Sequence, residues 1–487
     1  MQLVFLYAII KSTTKNIFGE DIMKKKISLF LILVIIISTF SILASCNIVK
    51  YLNPPTINGV SLKEFTIVYD EQGLDYNKRA AEYIRDSAKA KYNIDLAIID
   101  DDNEAQAHEI IVGETSRALS TTLNEETEGL EFSILAQNGS IALEGDYFVI
   151  AAAAYFFVET YASGDGETVT IEETASIHEP ITKKAKNFIM LIGDGMGVYQ
   201  TLLFDYVPNN IEYSDGEDLF YGYMLPYIGY SRTESLSGIT DSAAGGTALA
   251  CGYKTYNEHL GIDENQNPVK SLTELADELG KSAAVMSTEN SNGATPSSFT
   301  VHVLDRDSTA EIVGAQIEAE QKYGTIIECG YDYYTPSRVT IIEDHIAKTL
   351  KSVSENDNGF FFMYEEAYID KHCHGNNITK TMQAVVRFNQ AIAMFMEFAF
   401  YNPETLVLIT ADHETGRLLP NEEGELAYNH DDHTEADVLV FAYGQGAELF
   451  DGVTIENIQI AHTFAALMGD ENFGDQSVYQ SLTKGNK

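Results

Sequence analysis

Basic residues are scarce in this chain. Lys and Arg number 31 against 73 Asp and Glu among 487 residues, a formal charge of −42. A surface of that sign repels nucleic acid and anionic headgroups, so binding to either is not expected. Cysteine is rarer still, with only Cys46, Cys251, Cys329 and Cys373. With Cys46 assigned to a leader, as argued next, three remain. That odd number argues against a disulfide framework, although one bridge stays open. Long apolar runs are missing except for Ile27 to Leu43, which is short for a spanning helix.

That run follows Met23-Lys24-Lys25-Lys26, and a basic start before an apolar stretch reads as a secretory signal. Residues 1–22 precede this better start. Leu43-Ala44-Ser45-Cys46 resembles the bacterial lipobox, which makes Cys46 the lipidated mature N-terminus. The expected location is therefore extracytoplasmic, lipid-anchored to the bacterial cell membrane, with membrane contact only through that anchor. Residues 1–46 are the upstream residues plus signal, and 47–60, with Pro54-Pro55, a tether.

The remainder has the makings of a globular protein, with 45% hydrophobic residues, 28 Tyr and 24 Phe. Residues 61–180 read as a small α+β domain. Strands are expected at Phe65–Tyr69, Leu96–Ile99, Glu109–Val112, Phe132–Gln137 and Ser140–Glu144, with Asn138-Gly139 as a hairpin turn. Helices are expected over 78–91 and 147–161. The His108–Thr115 stretch and the Gly145-Asp146-Tyr147 helix entry resemble small domains that precede catalytic modules in some glycoside hydrolases. A carbohydrate or protein partner and a plain packing role are weighed equally for it.

After a Pro- and Lys-bearing linker at 180–186 the rhythm changes. Buried strands at Phe188–Ile192, Ala283–Ser287, Phe360–Tyr364, Leu406–Thr410 and Val438–Phe441 alternate with helices at 270–279, 310–322, 379–398 and 458–467. This predicts an α/β fold for 186–487: a doubly wound, mostly parallel sheet with helices on both faces. Open sheets of this kind build sites at strand carboxyl ends. Here those ends read Gly193-Asp194-Gly195, Glu365-Glu366 and Ala411-Asp412-His413. Acids buried there unpaired would be costly, and cations would relieve them.

Other residues point the same way. Asp370 and His374 stand at i and i+4, one face of a helix if the segment is helical. His433 follows Asp431-Asp432 in a polar stretch. Ser242 lies in the first turn of an expected helix opened by Thr240-Asp241, where a phosphate would meet free N–H groups. His372 and His430 are read as solvated, and Cys373 as a bystander.

Residues 186–487 resemble the alkaline phosphatase family. The resemblance is carried by Ile192-Gly193-Asp194-Gly195-Met196-Gly197, Thr240-Asp241-Ser242-Ala243-Ala244, Lys254-Thr255-Tyr256-Asn257, Ala294-Thr295-Pro296, Ile369-Asp370-Lys371, Thr410-Ala411-Asp412-His413 and His433-Thr434, in order and at compatible spacing. It implies two Zn2+ and one Mg2+. Asp370, His374 and His433 would hold the first zinc. Asp194, Asp412 and His413 would hold the second, beside the nucleophile Ser242. Asp194, Thr295 and Glu365 would hold magnesium. Arg306, eleven residues after Thr295, falls at the family's phosphate-clamping arginine, and Lys371 would reach phosphate through water.

The implied reaction is hydrolysis of small phosphate monoesters through a phosphoserine on Ser242, with an alkaline optimum. Gly293 departs from the pattern, standing where many members carry Asp or His near magnesium, so a looser third metal is expected. The domain is also short for the family. It is expected to lack the insertions that cover the site or a dimer interface, which leaves open whether the protein is a dimer. Two rivals are carried forward: a phosphodiesterase on the same fold and an inert surface-anchored binding lipoprotein. A sulfatase is disfavoured because Tyr334-Thr335-Pro336-Ser337-Arg338 puts tyrosine where that chemistry needs Cys or Ser.

Overall fold

Short apolar runs divided by turns fold the first part of the chain into a six-stranded sheet. The computed structural model describes residues 51–123, 128–206, 219–330 and 339–484. The expected leader, Cys46 and residues 334–338 lie outside that set. The strands are β1 (Thr66–Tyr69), β2 (Ile98–Asp100), β3 (Glu109–Val112), β4 (Phe132–Gln137), β5 (Ser140–Glu144) and β6 (Ser176–His178), in the order β2-β1-β3-β5-β4-β6. The four at the β2 end run parallel, and β4 is antiparallel to both its neighbours. Asn138 and Gly139, at φ 54° and 82°, make the tight turn between β4 and β5. Helices α1 (Asp75–Tyr92) and α2 (Ile150–Thr160) cover one face. Ile67, Ile110 and Leu143 point into that core, whereas Ile111, Leu135 and Ala142 pack against Leu119 and Leu123 on the other side. From Thr56 onward the segment expected as a tether is part of this body, for Thr56–Ile57 pairs with Val60–Ser61 and with Thr168–Val169.

The second sheet has eight strands: β7 (Asn187–Gly193), β8 (Tyr227–Arg232), β9 (Ser282–Ser287), β10 (Ile326–Cys329), β11 (Phe360–Glu366), β12 (Thr405–Thr410), β13 (Val438–Tyr443) and β14 (Thr454–Glu456). Their order is β10-β9-β11-β7-β12-β13-β8-β14. All neighbouring pairs are parallel except those β13 makes with β12 and β8.

Pleating sends alternate residues of one strand to opposite cores. In register across β7, β11 and β12, Phe188, Phe361 and Leu406 face one way, and Ile189, Phe362 and Val407 the other. Helices α3 (Ser242–Cys251), α4 (Leu272–Glu278) and α10 (Ile458–Met468) belong to the first core. The second core is closed by α7 (Val339–Ser354) and the long α9 (Ile378–Tyr401). Helices α5 (Ala294–Ser298) and α6 (Thr309–Tyr323) share a smaller core through Ala294 and Ile312, and α8 (Tyr368–His374) joins the second core through Ile369 and Cys373.

The small sheet's helices dock on α9. Phe148 stacks on Phe400 at 5.9 Å, Tyr83 on Tyr401 at 4.2 Å, and Arg79 meets Glu397 at 2.9 Å. Burying each such aromatic contributes roughly 1.5–3 kcal/mol. Among the described residues no helix is long and apolar enough to cross a membrane.

Candidate active site

Four strand ends meet at the carboxyl edge of the large sheet. Asp194 follows β7, Glu365 is the penultimate residue of β11, Asp412 and His413 follow β12, and Ser287 closes β9. Gly195 makes the convergence feasible. Its φ is +70°, and a Cβ there would lie 2.8 Å from Asp370 Cβ, so only glycine lets α8 approach Asp194 this closely. The predicted one-face pair holds, since α8 places Asp370 and His374 together, with Nε2 3.4 Å from Oδ1. A two-residue ladder between Glu414–Thr415 and His433–Thr434 draws His433 to the same spot.

The first group is Asp370, His374 and His433. The two Nε2 atoms are 3.2 Å apart, and His433 Nε2 is 3.6 Å from Asp370 Oδ1. Each ring has its Nδ1 committed to a carbonyl: His374 to Asp431 at 2.7 Å and His433 to Thr240 at 2.8 Å. A carbonyl only accepts, so both Nδ1 atoms carry the proton and both Nε2 atoms present lone pairs. Two lone pairs and a carboxylate oxygen aimed at one point describe a cation site.

The second group surrounds Ser242. His413 Nε2 lies 3.2 Å from Ser242 Oγ, 3.4 Å from Asp412 Oδ2 and 3.5 Å from Asp194 Oδ1. Its Nδ1 contacts Thr415 Oγ1 at 3.2 Å, and that hydroxyl donates to Asp370 Oδ1 at 2.6 Å. Nε2 is thus again the acceptor. Thr415 links the two groups, and no sequence pattern had singled it out. The third group is all oxygen: Asp194, Thr295 and Glu365. Asp194 Oδ1, Asp412 Oδ2, Thr295 Oγ1 and Glu365 Oε1 are buried with no hydrogen-bond partner.

Electrostatics agree with the geometry. Burial, then Asp412, Asp370 and Glu365, push the Asp194 carboxyl well up. Burial and Asp370 raise Asp412 to about 7. Burial and Glu289 raise Glu365, while burial and His433 push His413 well down. Such crowding is a strained arrangement for the bare chain and a suitable one for cations. The neighbouring Glu366 shows the contrast. It is equally buried, but it accepts from Arg387 at 3.1 Å and from the Tyr368 N–H at 3.0 Å, and so is structural.

Asp241 caps α3, one oxygen accepting from the Ala244 N–H at 2.9 Å. Its other oxygen accepts from the Glu258 N–H and from Arg306 Nη1 at 3.0 Å, which holds the guanidinium beside Ser242's helix entry. Lys371 is not free over the site, because its Nζ meets Glu289 Oε2 at 2.5 Å. Cys373 is buried near the Tyr428 hydroxyl, and burial pushes its thiol to about 12. His372 and His430 join none of the groups found among the described residues; His430 is exposed as expected, whereas His372 is buried, against the solvated reading, because α8 turns it inward.

Comparison with known proteins points in one direction. Residues 185–329 and 332–422, just under half of the chain, match the alkaline phosphatase family model. Alkaline phosphatase 4 of Bacillus subtilis is 29% identical over 310 residues, covering 52% of this chain and 66% of that protein. The chain thus spans about two thirds of that relative's length. Among solved structures, alkaline phosphatase from the Antarctic bacterium TAB5 superposes with a TM-score of 0.52 at 25% identity, over 59% of this chain and 99% of the other. A mutant of the TAB5 enzyme, solved with Mg bound, gives 0.50 at 25% identity with the same coverage. The large sheet and its helices have the alkaline phosphatase fold, as the sequence predicted.

Proposed function

We propose that this chain hydrolyses phosphate monoesters through a phosphoserine on Ser242, releasing inorganic phosphate. The observation that carries the reading is the convergence of orphaned buried oxygens and inward-facing Nε2 atoms around one serine hydroxyl. The donor sets suit particular ions. Imidazole with carboxylate, in Asp370-His374-His433 and in Asp194-Asp412-His413, suits Zn2+. The oxygen set of Asp194, Thr295 and Glu365 suits Mg2+, the ion named for the TAB5 mutant. Cations so held would supply the positive charge that favours a serine alkoxide and offsets charge on the departing oxygen.

The chain's own groups perform the remaining work. Ser242 Oγ, 4% exposed at the start of α3, attacks phosphorus and the alcohol departs. The other phosphoryl oxygens face the N-terminal N–H groups of α3 and the Arg306 guanidinium, a planar donor suited to two oxygens. Water then cleaves the Ser242 O–P bond. The lipobox-like leader supports an extracytoplasmic, anchored location for this chemistry, and the small sheet's domain serves as packing or as a module for carbohydrate or protein.

The Ser242–His413 contact alone also suits a metal-free serine hydrolase. That reading leaves Asp194, Asp412 and Glu365 facing one another without compensation, so the cation-dependent reading is preferred. Ser242→Ala is expected to lower p-nitrophenyl phosphate turnover on the order of 10⁴-fold, about 5 kcal/mol of barrier. Chelation should silence the parent, with zinc and magnesium restoring it. Turnover that survives chelation would select the metal-free route, and faster cleavage of diesters than monoesters would select the phosphodiesterase.

A further inference from the structure

A glycine at 293 contributes no side-chain oxygen to the pocket, and a residue just beyond another strand end projects into the volume it leaves. A Cβ on Gly293 would lie 1.8 Å from Glu289 Oε1 and 2.1 Å from its Cδ. The Glu289 carboxylate therefore occupies the volume into which any side chain at 293 would project. Glu289 comes two residues after β9, and its N–H donates to Ser287 Oγ at 3.0 Å. That hydroxyl in turn donates to Glu365 Oε2, so one serine aligns both acids.

Thr295 Oγ1, Glu365 Oε1 and Asp194 Oδ1 stand beside them without partners, on residues at most 5% exposed. Glu289 is the leading charge acting on Glu365 and also acts on Asp194, which places all three carboxylates in one field. Against them stands Lys371, 2.5 Å from Glu289 Oε2. One ammonium does not neutralise three carboxylates, and it leaves the orphaned oxygens unmet.

We infer that Glu289 is a ligand of a hard divalent cation of the Mg2+ class, shared with Asp194, Thr295 and Glu365, and that Gly293 is required to make room for it. The inference rests on the phosphatase reading for the other three ligands. It reverses the expectation of a looser site, since a side chain contributed from β9's end replaces one contributed from α5's start. Mg2+ takes oxygen donors and keeps several waters, so a fourth protein oxygen raises affinity chiefly through added charge.

The test is metal content by elemental analysis, with Mg2+ titration by calorimetry, on the zinc-loaded full chain. Glu289→Gln should keep zinc but bind Mg2+ at least tenfold more weakly. Gly293→Ala should do the same, by displacing the carboxylate without removing it. The double variant Glu289→Gly with Gly293→Asp should recover Mg2+ binding, because it returns a carboxylate to the same volume. Unchanged Mg2+ affinity in folded Glu289→Gln overturns the inference while leaving the phosphatase reading intact. A parent chain that binds neither zinc nor Mg2+ overturns both.

Discussion

Both sheets of this molecule collect acids at the carboxyl ends of parallel strands, and the two collections behave differently. At the edge of the small sheet, Asp70, Asp100 and Asp101 bring carboxylate oxygens within 4.8 Å of one another, as carboxylate oxygens of Asp194 and Asp370 and a ring nitrogen of His413 do at the large one. In the small sheet each acid meets a backbone N–H, from its own turn or from a neighbouring loop. Asp70 accepts from the Gln72 N–H at 2.8 Å, Asp100 from the Glu71 N–H at 3.0 Å, and Asp101 from the Ser116 N–H. Two of the three are only partly buried. In the large sheet the acids are buried and several of their oxygens have no donor. Proximity of carboxylates is therefore uninformative until the donors around them are counted.

Three experiments test that contrast. The largest effect is expected from Asp412→Asn, which should weaken the proposed zinc binding by about 10²-fold or more and abolish the proposed phosphatase activity. Asp101→Asn, its counterpart, should leave metal content unchanged. Equal metal loss from both variants would erase the distinction. Next is Arg306→Ala, which removes the charge-assisted clamp proposed for phosphate. It should lower kcat/KM roughly 10- to 100-fold and weaken inhibition by inorganic phosphate in parallel. Steady-state kinetics with competing phosphate would check it.

The smallest effect concerns Glu144, a half-buried acid at the end of β5 whose Oε2 is buried and unpaired. Burial, then Glu114 and Asp146, raise it to about 8. A folded-state pKa above the unfolded one contributes stability that is full below about pH 4 and lost as pH rises through about 8. Glu144→Gln removes that loss. Its advantage over the parent should grow from pH 4 and level off above about 8, reaching roughly 1 kcal/mol or more. Urea unfolding at several pH values would measure it, and a constant difference would show that the carboxyl is not strained.

Much of the architecture was legible from periodicity. Five strands of the large sheet and its four expected helices appear within a few residues of their predicted bounds. They are long, apolar and bounded by turn residues, and local pattern suffices for such elements. The small sheet's hairpin was announced by Asn138-Gly139 for the same reason. β8, β10 and β14 were not foreseen. β10 and β14 are short edge strands, and β8 is only intermittently buried. Partners distant in sequence, more than side-chain alternation, define them. The long helix α7 was missed as well.

The site was legible to a similar depth. Acids and histidines placed just after buried strands identified Asp194, Glu365, Asp412 and His413, and i,i+4 spacing identified Asp370 with His374. Thr415 carried no such mark, and Glu289, two residues after the expected strand end at Ser287, carried it without being singled out. Each matters through what the fold brings next to it: Thr415 through His413 and Asp370, Glu289 through the empty volume at Gly293.

By itself the sequence determined which segments become strands and which chemical groups sit at their ends, because alternation and turn residues act over a few positions. Tertiary structure decided which acids meet backbone N–H donors, which are buried without donors, and whose carboxylate occupies the volume a glycine leaves. Those outcomes depend on distances between residues up to some two hundred positions apart, such as Asp194 and His413. No local pattern encodes them.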